Sequence, residues 1–269
     1  MPSASHLSGI LRKIESMHWE IVIFFFIIAL VYASVGFGGG SSYLAILALY
    51  ALPYKEIRLI ALLCNIIVVT GGTIIFIRNK QTDWKKILPV AVLSVPMAFL
   101  GARMKLSQDT FFVVLGCSLL AAAVLLWIRT RPGDIEPTGT AGNTHYLKDG
   151  LIGGAIGFLS GMVGIGGGIF LSPLLNLMKW DTPKKIAATS SVFILVNSIS
   201  GIAGQLSTFP GGINIERIII LCVAVLAGGQ LGSRLGAVRF NPLLIRRVTA
   251  LLVFFAGTEV LYRHLSWFK

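Results

Sequence analysis

Val35-Gly36-Phe37-Gly38-Gly39-Gly40 and, later in the chain, Val163-Gly164-Ile165-Gly166-Gly167-Gly168 are the stretches whose reading decides the fold. Each closes one apolar run and opens another. Three consecutive glycines cannot face lipid, because unwound backbone would leave N–H and C=O groups unpaired in hydrocarbon. They fit where backbone lines a cavity. Each cluster then sits at the N-terminus of a short helix, with free amides and the positive dipole end pointing into the break. That arrangement can hold an anion without a charged side chain. Gly38, Gly39 and Gly40, with the hydroxyls of Ser41 and Ser42, form one such candidate. Gly166, Gly167 and Gly168 form the other; Ile169 and Phe170 follow them, so the two are not chemically equal.

Outward from the clusters, apolar runs fill the chain. They cover 19–35, 42–52, 57–77, 87–101 and 111–128, then 151–163, 169–178, 186–206, 215–235 and 243–261. Helices are the sensible assignment, since spanning strands would alternate and be far shorter. Of the 269 residues 55% are hydrophobic and 13% charged, against roughly a quarter charged in soluble domains. Lipid is therefore the solvent, and no length remains for a soluble domain. The formal net charge of +12 sits in short loops, where it orients the chain and meets anionic head groups. Nucleic acid is not an expected partner.

The runs restart after a polar linker, Arg129 to Lys148, and Leu100-Gly101-Ala102-Arg103 returns as Leu231-Gly232-Ser233-Arg234. Two matches in the same order mark an internal duplication. The expected organisation is an N-terminal segment 1–18, a first transmembrane repeat 19–128, the linker 129–148 and a second repeat 149–269. Residues 1–18 resemble a signal peptide, but no cleavage site precedes Gly36; they read as an uncleaved N-terminus leading into the first membrane helix. Related halves suit a transporter, whose single site faces either side by related motions. If each glycine cluster turns the chain back, each half has an odd number of crossings and the repeats are inverted. That is the preferred reading; parallel repeats are the other.

The polar residues inside the runs are Asn65 and Thr70 in the first half and Thr189, Ser190, Ser191, Asn197, Ser198 and Gln205 in the second. Asn65, Ser190 and Asn197 join the glycines as candidate substrate contacts; helix-to-helix hydrogen bonding is the competing role. Arg103 and Arg234 either attract anions at a vestibule or snorkel to the interface. The acids lie at run ends and loops, with Glu259 one turn before Arg263 as a partner. No carboxylate sits mid-membrane for a cation, and no metal, cofactor or catalytic set is recognisable, so an enzyme is not expected. Cys64, Cys117 and Cys222 read as buried apolar thiols.

At the glycine clusters the chain resembles the sulfite exporter TauE/SafE family. The resemblance rests on Gly36-Phe37-Gly38-Gly39-Gly40, on Gly161 through Gly168 with Pro173 beyond, and on Pro183-Lys184-Lys185-Ile186-Ala187-Ala188-Thr189-Ser190. Asn197-Ser198, Gly201 and Leu231-Gly232-Ser233-Arg234-Leu235-Gly236 continue it, so it spans nearly the whole chain. It implies a multi-pass transporter of the cell membrane for sulfite, organosulfonates or other small sulfur-containing or carboxylate anions. A bacterial inner membrane suits the compact length. The first half departs from the pattern: Tyr54-Lys55-Glu56 stands opposite Pro183-Lys184-Lys185, and Ala61-Leu62 opposite Ser190-Ser191. Polar contacts should therefore come more from the second half. The competing reading is a membrane assembly or sensor protein whose glycines only pack helices. The expected partners are the anion and the bilayer; a homo-oligomer is compatible with the sequence.

Overall fold

The structure is a computed structural model and describes residues 19–34, 38–50, 52–128, 146–207, 215–236 and 242–264. Among the described residues the chain is helical, with no strand. The first five helices are α1 (Trp19–Ser34), α2 (Gly40–Leu49), α3 (Tyr54–Arg78), α4 (Trp84–Arg103) and α5 (Gln108–Ile128). The next five are α6 (Tyr146–Val163), α7 (Gly168–Leu177), α8 (Pro183–Leu206), α9 (Ile215–Gly236) and α10 (Pro242–His264). The N-terminal segment 1–18 and residues 129–145 of the expected linker lie outside the described residues. The linker was expected to reach Lys148, but α6 already begins at Tyr146.

Among the described residues five helices, α3, α4, α5, α8 and α9, are long and apolar enough to cross a membrane. Their outward faces stay apolar: Val92, Val124, Trp127, Ile199 and Val223 are exposed where a soluble protein would place charge. This is a multi-pass membrane protein. The helices α2 and α7 have 10 residues each. At about 1.5 Å per residue they span about half of a hydrocarbon core roughly 30 Å thick. Both are buried over most of their length, so their N-terminal ends lie inside protein; Leu49 and Leu177 at the other ends are exposed.

The packing has an exchange pattern. Helix α4 lies on α6 and α8, whereas α9 lies on α1 and α3. Helix α3 packs on α8, α5 on α10, α2 on α10 and α7 on α5. Exchanging the first five helices for the second five leaves these pairings unchanged. Corresponding helices run antiparallel: Thr73 late in α3 bonds Ser191 early in α8 at 2.8 Å, while Leu62 early in α3 meets Gly201 late in α8. Helices α5 and α10 do the same, with Gly116 against Leu261 and Leu119 against Gly257.

Glycines bring the exchanged helices together. A Cβ added at Gly153, Gly157 or Gly161 of α6 would overlap the carbonyl of Val90, Ser94 or Ala98 on α4. On α9, Gly228 and Gly232 lie in the same way against Phe26 and Leu30 of α1. Spacing of four along each helix makes a smooth stripe that lets two backbones approach within van der Waals contact. Two ion pairs also cross between the halves near helix starts, Lys86–Asp181 at 2.7 Å and Arg217–Glu56 at 2.9 Å. Glu259 bonds Arg263 one turn on at 2.7 Å, as their spacing leads one to expect. The cysteines differ from the expectation: Cys64 is buried, Cys222 half-buried and Cys117 exposed. Helix α5 is apolar on every face, so a thiol on its lipid side needs no burial in protein.

Candidate functional site

The two glycine breaks are built from backbone that L side chains rarely adopt. Gly39 has φ 77° and caps α2; Gly164, Gly166 and Gly167 have φ 87°, 81° and 82°, and Gly167 caps α7. Positive φ costs a residue with a Cβ about 1–2 kcal/mol. These glycines therefore differ in kind from the stripes on α6 and α9. The turn at Gly39 is closed by Ser42 N–H and Tyr43 N–H donating to its carbonyl at 3.0 Å. At Gly167, Phe170 N–H and Leu171 N–H do the same at 3.1 Å. The earlier amides of each short helix have no helical carbonyl to reach.

The breaks meet. A Cβ built at Gly40 would fall 2.5 Å from the carbonyl oxygen of Ile165, in the other break. Asn65 of α3 lies between them: its Nδ2 donates to the carbonyl of Ile165 at 2.9 Å, and its amide walls Gly38, Gly40 and Gly166. Asn65 is fully buried, and its Oδ1 has no hydrogen-bond partner. Ser198 of α8 closes the far side, its Oγ about 3.0 Å from a Cβ built at Gly166. That hydroxyl is buried and unpartnered too. One protein amide oxygen and one hydroxyl thus stand unsatisfied beside two helix N-termini. Buried polar groups left unpaired each cost on the order of 1–3 kcal/mol, so two of them side by side call for a partner such as water or a ligand.

The other sequence candidates are placed as follows. Gly168 is walled by Ile194 and Gly167 by Phe193, Ile156 and Ser160. Ser41 is buried at the start of α2, and Ser42 shares a 2.6 Å hydrogen bond with the Tyr32 hydroxyl of α1. Ser190 is buried one turn before Ile194 and its hydroxyl is unpartnered. Ser191 bonds Thr73 on α3. Asn197 turns toward α4, where its Nδ2 donates to Ser94 Oγ at 3.1 Å and to the carbonyl of Phe193 at 2.8 Å. Asn65, Gly38, Gly40 and Gly166 are thus brought together; Ser42, Ser191 and Asn197 bond elsewhere. Arg103 ends α4 exposed, its guanidinium 5.6 Å from the Phe99 ring. Arg234 lies in the last turns of α9, and its side chain is outside the described residues.

Sequence reasoning passed over one charged group at this place. Arg58 of α3 is only 2% exposed. Its Nη2 donates to the carbonyls of Gly161 at 2.8 Å and Ala102 at 3.1 Å, where α6 and α4 end. Its stem lies against Gly164, so a Cβ there would meet Arg58 Cα, Cβ and Cγ at 3.0–3.1 Å. The signal available was a cation inside the run that begins at Ile57, two helical turns before Asn65 on the same face. Beyond Asn65 along α3 is a small cavity of about 20 Å³, lined by Ala33, Val69, Gly71, Gly72, Ser191 and Gln230 among others.

The family model described as Sulfite exporter TauE/SafE matches residues 21–260. The probable membrane transporter protein y4hK of Sinorhizobium fredii is 33% identical over 243 residues, 90% of this chain and 97% of that protein. The probable membrane transporter protein YunE of Bacillus subtilis is 26% identical over 215 residues, 73% of this chain and 78% of its own. From Methanocaldococcus jannaschii, the probable membrane transporter protein MJ0441 is 24% identical over 173 residues, 58% of this chain and 60% of its own. No solved structure matches the chain.

Proposed function

The chain belongs to the sulfite exporter TauE/SafE family and is a membrane transporter, and from that premise we propose that it carries sulfite or another small sulfur-containing oxyanion through the meeting point of its two glycine breaks. The observation that carries this reading is the hydrogen bond from Asn65 to Ile165, which draws the N-termini of two half-membrane helices, one from each half, to one buried place. The amides of Gly38, Gly39, Gly40, Gly166, Gly167 and Gly168 and the hydroxyls of Ser41, Ser190 and Ser198 are the donors an oxyanion would use. Access alternates as one half rocks on the other. Antiparallel pairing of α3 with α8 and of α5 with α10 supports inverted repeats, the topology in which related motions open one site to each side.

Binding is tested by thermal shift of the purified protein against sulfite, sulfate, thiosulfate, small sulfonates and small carboxylates. An anion at about a hundred times its dissociation constant stabilises the folded state by roughly 2.7 kcal/mol. The expected result is a raised Tm with at least one sulfur-containing oxyanion. A Tm unmoved by every anion, together with no anion flux in proteoliposomes, would favour the helix-packing role of the glycines.

A further inference from the structure

Among the described residues Arg58 has no counter-ion, and the nearest acid in sequence, Glu56, is bonded to Arg217 instead. It donates to two neutral carbonyls, and among the described residues its Nε has no hydrogen-bond partner. A cation held inside a membrane protein on these terms is costly unless an anion completes it. The carbonyl ends of α4 and α6 offset part of the charge, as helix C-termini do. They leave the Nε–H bare.

The molecule contains its own control for a purely structural role. By the correspondence of the halves, Arg58 of α3 stands where α8 has Ala187. Helix α8, one residue shorter at 24 against 25, takes the same place in the packing without any cation there. A clamp at this position is therefore not a requirement of the architecture. What Arg58 adds is charge, at one of the two breaks and against the glycine with the most positive φ, Gly164.

We propose that Arg58 is a substrate-binding residue, the fixed positive charge that an oxyanion neutralises as it enters the second break. This rests on the transport reading above and makes it more specific. Helix N-termini and hydroxyls alone would accept polar neutral solutes; a buried guanidinium whose stem lies against Gly164, at the start of the second break, selects for charge. Its planar donors match oxyanions with two or more oxygens better than they match a halide. The site is accordingly lopsided, with the charge in one half's helix and the backbone turn in the other's.

Two substitutions separate charge from clamp. Arg58→Gln keeps a shorter, neutral side chain with an amide donor near the Nε position and removes the charge; Arg58→Lys keeps the charge and loses the fork. Each is purified in lipid nanodiscs and titrated calorimetrically with sulfite, methanesulfonate and acetate. The expected result is that wild type binds at least one of the three and Arg58→Lys weakens it about tenfold. Arg58→Gln should weaken it by about a hundredfold or more while the ligand-free Tm changes little. If Arg58→Gln does not fold, 15N-arginine spectra of wild type still decide: the Nε resonance missing from Arg58→Lys should move on titration with the bound anion. Unchanged affinity in Arg58→Gln, or an Nε resonance that stays put at saturation, overturns the proposal and leaves the transport reading standing. Failure of wild type to bind any of the three overturns both.

Discussion

The two glycine breaks share a skeleton and differ in what faces it. In the first, Gly38 and Gly40 are walled by Asn65, and Val69 completes the wall at Gly38. In the second, Gly168 and Gly166 are walled by Ile194, and Ser198 completes the wall at Gly166. Asn65 thus stands where the other half has Ile194, and Val69 where it has Ser198. An internal duplication would account for the shared skeleton, and the difference of amide against isoleucine and of valine against serine sets the chemistry of the two walls apart. The first half's amide reaches across to the second half's backbone at Ile165, so the two breaks are joined asymmetrically.

The comparison is broken most sharply by giving each cap a side chain. Gly39 and Gly167 hold the same turn, but a Cβ at Gly167 falls 2.7 Å from the Phe193 ring, against 3.0 Å from Tyr43 at Gly39. Gly167→Ala is therefore expected to cost about 2–4 kcal/mol, the left-handed penalty plus overpacking. Gly39→Ala should cost about 1–2 kcal/mol, mostly the penalty alone. Thermal unfolding in detergent measures both, and equal costs would mean that the walls do not distinguish the breaks.

Next in size is the charge just before α3 and α8. Asp181, just before α8, takes Lys86 from the other half; the same place before α3 is Leu52. Burial works to raise the Asp181 carboxyl, but the hydrogen bonds from Lys86 and the Thr182 amide, with the charges of Lys86 and Lys185, win and hold it below its usual range. A lowered carboxyl contributes stability above its unfolded value of about 3.9 and loses it as pH falls through that value toward the folded one. Wild type should be more stable than Asp181→Asn at neutral pH, and the gap should close below about pH 4. A gap independent of pH would assign the difference to packing.

The smallest expected effect separates the two uses of glycine. Gly72 lies in the helical part of α3, where a Cβ would sit an ordinary 3.7 Å from Ser191 Oγ. Gly72→Ala should be neutral or stabilise by up to about 1 kcal/mol through helix propensity. The same change at Gly157, against the Ser94 backbone, should be clearly destabilising.

Most of the fold was legible because hydrophobic runs and glycine triplets are local signals. The runs at 57–77 and 186–206 became α3 and α8, and the triplets became the caps of α2 and α7. Asn65 stood out as an amide in an apolar run. Ser198 did not stand apart from its neighbour Asn197, because one residue along a helix is a turn of about 100° and periodicity alone does not say which neighbour α8 presents to the break. Arg58 was hidden for another reason. A cation near the start of an apolar run reads as an interfacial anchor, and only the end of α6, distant in sequence, shows that it is covered.

The most direct test of the shared site is uptake of labelled sulfite into proteoliposomes by wild type and by Asn65→Leu, which removes the amide that joins the breaks. Saturable uptake by wild type that falls at least about tenfold in a folded, correctly inserted Asn65→Leu is the expected result, since an amide lost at a buried polar contact costs on the order of 1–3 kcal/mol. Equal uptake by the two proteins would contradict it and place the path of the anion elsewhere in the molecule.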